Sequence, residues 1–412
     1  LHGRPWSAER LRVERDDDEH RLRVRHVELA DLSSFVIGLQ GEHPLLKHWA
    51  DMRPGGALDQ VDIKIVGPLA SPRDYRLRAE LARATWEPHN KIPGVQGLSG
   101  WLDMRRTDGE FHINAQDVVL SLPSVFRASL PAQRVQGLVS WERGTEGWRV
   151  IGKDVTLTST DGVANGEMQL QLFDDARSPY LLVRADVKNG DGRHAAKYYP
   201  APHLPPKILH WMDTAFLGGT ITRGQVTFDG PVRDFPFDDG TGRFELRVLV
   251  RYGTCRYLEG WAPGRDAEAD VAVTGRDVLV TGTGRIGALS VSQVVVQTRP
   301  VSDPKKRRVA VTGKVQGPVA ESLRVLREVE TDADPAPVWQ SYLPVLQAQG
   351  DGVLSLDVNV PLGVPGADFT GEYQTQGATL QMTAPALALR GLAGYVRFSN
   401  RGLEQSDLRA QL

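Results

Sequence analysis

The sequence predicts a mainly β, mostly antiparallel protein, and three observations carry that prediction. Apolar and polar residues alternate over most of the chain, glycine-containing turn pairs punctuate the alternation, and helical periodicity is confined to four short segments. Phe244, Leu246, Val248, Val250 and Tyr252 share one parity while Glu245, Arg247 and Arg251 hold the other, the pattern of a half-exposed strand.

The same alternation recurs along the chain. Val61, Ile63 and Ile65 stand against Asp62 and Lys64, and Tyr75, Leu77, Ala79 and Leu81 against Arg76, Arg78 and Glu80. Met168, Leu170 and Leu172 alternate with Glu167, Gln169 and Gln171, and Leu354, Leu356, Val358 and Val360 with Ser355, Asp357 and Asn359. Asp108-Gly109, Asp161-Gly162, Asn165-Gly166, Asn189-Gly190 and Asp351-Gly352 supply the turn chemistry of antiparallel meanders. Helices are expected at about 43–52, 205–217, 319–330 and 337–348. In the second, Pro205 and Pro206 suit a first turn, Ile208, Leu209, Met212, Ala215 and Phe216 form a stripe, and Gly218-Gly219 can end it.

Aligning these helices exposes a repeat. Trp49, Trp211 and Trp339 each lie in a short helix, followed by glycine (Gly55-Gly56, Gly218-Gly219, Gly350) and an alternating strand. A break follows at Gly67-Pro68, Gly230-Pro231 and, more loosely, Pro361 to Pro365, and a second strand then reaches Ala84-Thr85-Trp86, Gly253-Thr254-Cys255 or Ala378-Thr379-Leu380. The Trp-to-Thr distances are 36, 43 and 40 residues, consistent with one supersecondary unit carrying loop insertions. The expected organisation is the end of a preceding repeat over 1–40, repeat units over 41–200 and 201–330, and a truncated unit over 331–412.

At 412 residues the chain is about 2.7 times a typical domain, long enough for several units or one extended repeat. Lys plus Arg (49) nearly balances Asp plus Glu (51), so no field suited to gathering nucleic acid is implied. A single cysteine, Cys255, excludes an internal disulfide framework and a multi-cysteine zinc site. No run approaches 18 apolar residues, and the start, Leu1-His2-Gly3-Arg4, reads as a fragment whose targeting segment lies outside it.

So many strands, each with one aliphatic face, need a cover, since leaving each large side chain in water costs roughly 1.5 kcal/mol or more. The short helices are too small a roof. A second sheet, barrel closure, or a groove filled by an apolar ligand would serve. Pattern alone favours a sandwich; the regular repeat makes a long groove attractive.

Tyr198-Tyr199-Pro200, Leu204-Pro205, Trp211-Met212, Gly218-Gly219, Gly230-Pro231-Val232-Arg233-Asp234-Phe235-Pro236-Phe237, Gly240, Gly242, Phe244 and Trp261-Ala262-Pro263 bring a family into view. This stretch resembles the central region of the YhdP-type, AsmA-like proteins of Gram-negative bacteria. The best-matched motifs span about 195–290, and the repeat extends the likeness over most of the chain. The resemblance implies an elongated, mostly antiparallel, curved sheet forming a repeating β-groove, with short helices between repeats. It implies a periplasmic bridge, anchored in the inner membrane by an N-terminal helix absent from this sequence, that carries phospholipid between inner and outer membranes. Inner and outer membranes, reached through segments outside the fragment, and other envelope proteins are the implied partners. No cofactor, metal, nucleic acid or enzymatic step is expected.

On that reading the aliphatic parity lines the groove: Val61, Ile63 and Ile65; Phe244, Leu246, Val248, Val250 and Tyr252; Leu354, Leu356, Val358 and Val360. The same parity would equally serve an ordinary core. A structural or adhesive β-repeat protein of the cell envelope, a closed sandwich without ligand, is the alternative.

Motifs of chemistry read as structure. Gly282-Thr283-Gly284-Arg285-Ile286-Gly287 fits GxGxxG but precedes a strand-like segment, so no helix N-terminus meets a pyrophosphate. Ser302-Asp303-Pro304-Lys305 lies in a proline loop, Lys305-Lys306-Arg307-Arg308 reads as a solvated edge, and Asp16-Asp17-Asp18-Glu19 as a hairpin tip. The histidines lack HExxH spacing. Trp211 is expected to anchor its helix onto the sheet, and Cys255 to act as a small buried hydrophobe.

Overall fold

The computed structural model describes residues 7–32, 51–68, 72–90, 92–258, 260–299, 307–328, 343–362, 366–383 and 386–412. It is mainly β with short helices, and every strand ladder whose register follows is antiparallel. Two compact units divide the chain: Leu1–Gly190 with His194–Leu209 and Gln225–Phe244, and Asp191–Arg193 with His210–Gly224 and Glu245–Leu412.

The first unit is a meander of β1 (Arg12–Asp16), β2 (Glu19–Glu28), β3 (Gly55–Val66), β4 (Asp74–Trp86), β5 (Gly94–Arg105), β6 (Asp108–Ser121), β7 (Leu130–Arg143), β8 (Gly147–Ser159), β9 (Gly162–Phe173) and β10 (Tyr180–Lys188), each pairing with the next. A two-residue strand, β11 (Gly190–Asp191), and 3-10 turns at Gly192–Tyr198 and Ala201–His203 lead into helix α1 (Pro206–Ala215) and β12 (Phe216–Pro231); α1 and β12 contribute residues to both units.

The second unit is the meander β13 (Arg243–Cys255), β14 (Gly264–Thr274), β15 (Asp277–Ile286), β16 (Leu289–Arg299) and β17 (Arg308–Pro318), continued by β19 (Asp351–Pro361), β20 (Asp368–Thr383), β21 (Ala386–Ser399) and β22 (Gly402–Gln411). Helix α2 (Val319–Arg327) and β18 (Leu346–Gln349) lie between β17 and β19 in sequence.

Of the expected helices, α1 and α2 form. Of the segment 337–348 the described part, from 343 on, differs: Leu343–Val345 is a 3-10 turn and Leu346–Gln349 is strand, because it pairs from Leu346↔Met382 to Gln349↔Thr379 with the end of β20. Most of 43–52, with Trp49, and Trp339 lie outside the described residues. Gly218-Gly219 does not end α1 but belongs to β12.

Single left-handed residues bend the strands. Gln60 (φ 51°), Arg83 (48°), Asp117 (51°), Asp154 (49°), Tyr252 (54°), Asp266 (50°) and Gln293 (52°) are all non-glycine, and most sit at a register shift in their ladder. A bulge of this kind bends its strand, increases the local twist and flips side-chain parity beyond it. In β4 the apolar face therefore passes from Leu77, Ala79 and Leu81 to Ala84 and Trp86.

Two of these bulges, and a third at Gly377, meet a glycine in the same way. A Cβ on Gly56 would stand 2.8 Å from Ala84 Cα, one on Gly219 2.9 Å from Gly253 Cα, and one on Gly350 2.9 Å from Ala378 Cα. All three glycines have positive φ (87°, 132° and 91°), and the residue before each partner, Arg83, Tyr252 or Gly377, is left-handed. Only glycine permits so close a crossing of two backbones.

Helix α2 docks by charge and by a buried contact. Val325 is buried, Glu321 Oε1 accepts a hydrogen bond from the Ala288 amide in the β15–β16 turn (3.0 Å), and Arg324 donates to Glu321 (2.6 Å) and Glu328 (2.5 Å). Arg324 first, then the Ala288 amide, hold the Glu321 carboxyl down at about 2. Since the folded-state value is depressed, the stabilisation is complete above the ordinary glutamate range and is lost as pH falls toward 2. The stability advantage of wild type over Glu321→Gln, about 1 kcal/mol near neutral pH, is expected to shrink through that acid window. Denaturant titrations at several pH values measure it; a pH-independent difference would contradict the contact.

Candidate functional site

Directly paired residues on antiparallel strands share a face, so the ladders map the two faces of each unit. In the first unit one register row runs Leu22–Ile63–Leu77–Met104–Gly109–Trp141–Val150–Leu170–Leu181 across β2 to β10. A parallel row runs Ala79–Leu102–Phe111–Val139–Gly152–Met168–Val183. In the second unit Val248–Val271–Val280–Val296–Val311–Val358–Phe369 crosses β13 to β17, β19 and β20.

The opposite face is charged. Arg23, Asp62, Arg78 and Asp103 form an alternating-sign row. Arg21 donates to Asp62 (2.8 Å), and Asp103 accepts from Arg76 (2.8 Å) and Arg78 (3.1 Å). Hydrogen bonds from Arg21 and Arg76 hold the Asp62 and Asp103 carboxyls below the ordinary range. Arg247 and Asp270 repeat the arrangement in the second unit (3.1 Å). Such pairs add little stability each, but they keep this face in water. A cleft on it, lined by Arg76, Asp103, Arg105, Glu142 and Arg149 among others, offers no unused charge, since each of these arginines has a carboxylate partner.

The aliphatic face is unevenly buried. Ala84 (0%), Ala115 (1%), Val118 (4%) and Ala132 (4%), near the bent ends of their strands, are closed off. The valine row of the second unit is only half-buried, and Leu172, at the far end of β9, is 39% exposed. Within each unit, the strands in extensive contact are sheet neighbours.

The expected lining residues fall as follows. Ile63 lies between Leu22 and Leu77, and Ile65 between His20 and Tyr75. Val61 pairs with Val24 and is buried at 4% in a cluster with Val27, Leu58 and Ala79. Leu246, Val248 and Val250 pair with Val273, Val271 and Ala269. Leu354, Leu356 and Val358 sit between Val315 and Tyr373, Gly313 and Gly371, and Val311 and Phe369; Val360 pairs with Val309 and is 37% exposed.

Tyr252 departs from the alternation. It is the left-handed bulge residue, 72% exposed, and Gly253, opposite Ala267, carries the face onward instead. Phe244 belongs to an aromatic cluster, with Phe235 at 5.3 Å and Phe228 at 6.5 Å.

That cluster explains the glycines and phenylalanines of the GP..FPF..G.G.F pattern. Phe237 is 7% exposed and lies 5.2 Å from Phe228. A Cβ on Gly230 would stand 2.8 Å, and one on Gly242 2.6 Å, from its ring. The two glycines thus make room for one aromatic ring against the backbone.

Trp211 is 46% exposed, against Phe216 at 5.7 Å, so it does not anchor α1 by burial as expected. Cys255 is half-buried, and burial pushes its thiol up. Asp161, in the β8–β9 turn, is the most enclosed carboxylate described: its side chain is 2% exposed and accepts from Lys197 (2.8 Å) and Tyr198 (3.1 Å), tying the Gly192–Tyr198 turn to the hairpin. Burial opposes its ionisation, but those donors outweigh it and hold the carboxyl below its usual range. Among the described residues no group of three or more His, Cys, Asp or Glu is placed to hold a metal ion.

Antiparallel sheet units with one aliphatic, partly exposed face and one charged face define a class of extended β-sheet protein. The chain belongs to the YhdP protein family, which matches residues 1–412. It is similar to the intermembrane phospholipid transporter YhdP of Escherichia coli (strain K12), 24% identical over 436 aligned residues that cover 100% of this chain and 33% of the relative. The chain thus spans about a third of that relative's length. No solved structure matches it. Among the described residues no helix is long and apolar enough to cross a membrane.

Proposed function

We propose that the aliphatic face of each unit is a track for phospholipid acyl chains, with the headgroups left in water. The carrying observation is that this aliphatic face stays partly exposed: the valine row of the second unit is only half-buried and Leu172 of the first is 39% exposed. Each lipid methylene removed from water there contributes about 0.8 kcal/mol. Side chains of similar size along a row, as in the six valines from Val248 to Val358, suit a ligand that slides, because they create no deep local well.

In the longer protein this segment would form part of a periplasmic conduit between inner and outer membranes, tethered by elements beyond it. The name of the E. coli relative supports that reading. The Gly56–Ala84, Gly219–Gly253 and Gly350–Ala378 crossings support division into repeats over 41–200, 201–330 and 331–412, after the end of an earlier one over 1–40. No proton transfer, metal or nucleotide is needed.

Native mass spectrometry of the chain purified from bacteria without detergent tests the track. Several phospholipids per chain are expected. A folded, monodisperse and lipid-free chain would favour the ligand-free structural repeat.

A further inference from the structure

The two ends of the strands differ, and in the first unit one end has the composition of a lipid headgroup interface. At the edge formed by the β1–β2, β3–β4, β5–β6 and β7–β8 hairpins, the aliphatic face ends in aromatic residues. Tyr75 pairs with Ile65, and Trp148 lies between Arg143 and Leu172. The Arg143 guanidinium stands over the Trp148 ring at 5.6 Å and is fixed by two 2.7 Å hydrogen bonds to Asp174. Rings with an apolar body beside a polar edge favour the boundary between hydrocarbon and water.

The arginines on this edge, which also carries Asp16, Asp17 and Asp74, are of two kinds. Arg73, Arg105, Arg143 and Arg177 each face a carboxylate: Asp18, Asp108, Asp174 and Asp175. Arg15 and Arg106 have none among the described residues. Arg15 pairs across the ladder with His20, on the same face as Ile65, and Arg106, in the β5–β6 turn, donates only to the Arg73 carbonyl (2.8 Å). In a chain of net charge −2, two exposed guanidinium groups left over where an aliphatic face meets water are spare anion-binding capacity.

We propose that this edge contacts the phosphodiester of a bound phospholipid, with Arg15 and Arg106 as two phosphate stations and Tyr75 and Trp148 as the interfacial rings beside them. The inference rests on the acyl-chain track proposed above. Counted in strand spacings, the stations lie about 20 Å apart along the edge, far enough to serve successive lipids.

The test uses the whole chain and two fluorescent probes with the same acyl chains, a phosphatidylethanolamine and a diacylglycerol that lacks the phosphate. The double variant Arg15→Gln, Arg106→Gln leaves the four ion pairs intact. It is expected to bind the phospholipid about fivefold more weakly, the scale of one exposed charge-assisted contact, with diacylglycerol binding unchanged. Arg15→Lys with Arg106→Lys is expected to restore most of the loss. Equal phospholipid affinity in wild type and the Gln variant would overturn the stations while leaving the track standing. Wild type that binds neither probe would overturn the track and the stations with it. Glycerophosphate, which has the phosphate without acyl chains, is expected not to displace the phospholipid at millimolar concentration; displacement at micromolar concentration would mark a soluble-phosphate site and overturn the assignment to lipid.

Discussion

Val248→Arg is expected to empty the second unit of bound lipid while leaving it folded. Val248 opens the valine row that continues through Val271, Val280 and Val296. An arginine there sets a guanidinium among aliphatic side chains and against any acyl chain lying on them. Desolvating that charge costs several kcal/mol, more than the few methylenes at one row can return. The backbone ladder between β13 and β14 is untouched and Val248 is only half-buried, so the fold tolerates the change. Native mass spectrometry should show phospholipid occupancy of the chain falling to the share held by the first unit. A thermal melt of the same sample establishes folding. Undiminished occupancy in a folded variant would remove Val248 from the track.

Phe237→Ala is expected to produce the largest loss of stability, about 3 kcal/mol or more. Phe237 packs against Phe228 and Phe235, at 5.2 and 6.0 Å, in the space left by Gly230 and Gly242. Removing the ring leaves a cavity whose floor is backbone, which cannot collapse to fill it. Phe235→Ala, at a ring already 38% exposed, should cost visibly less. Denaturant unfolding compares the two variants, and a Phe237→Ala loss below about 1 kcal/mol would mean that the motif is not a packing device.

These two sites differ in how far sequence reasoning reached them. The parity of Val248 was legible because alternation from Phe244 to Val248 is a local signal, and the ladder preserves it. Phe237 was visible only as part of a resemblance; nothing local says that Gly230 and Gly242, twelve positions apart, would cradle one ring. Tyr252 shows where alternation stops being a guide. A left-handed tyrosine is an unfavourable local choice that the surrounding ladder imposes, so neither propensity nor pattern announces it. The same holds for Arg83, Asp154 and Gln293. The part of the helix expected over 337–348 that lies within the described residues, from 343 on, differs for a related reason: Leu346–Gln349 finds its partner in Leu380, Met382 and their neighbours, a non-local pairing that outweighs a short apolar stripe.

The aromatic edge was missed for a different reason. Tyr75 is far in the chain from Arg143 and Trp148, and they share one edge because hairpins of similar length bring their ends there. Gly56, Gly219 and Gly350 were legible as members of a sequence pattern; the close backbone crossing that makes them glycine was not.

The sequence by itself determined that this is an antiparallel β protein whose strands carry one aliphatic and one charged face, because a period of two is a property of neighbouring residues. Only the tertiary structure decided which residues continue each face beyond a bulge, and that the valine row of the second unit stays half-buried. Both depend on contacts between distant segments, and the free energy of covering an apolar surface resides in the partner that covers it, which no single strand encodes.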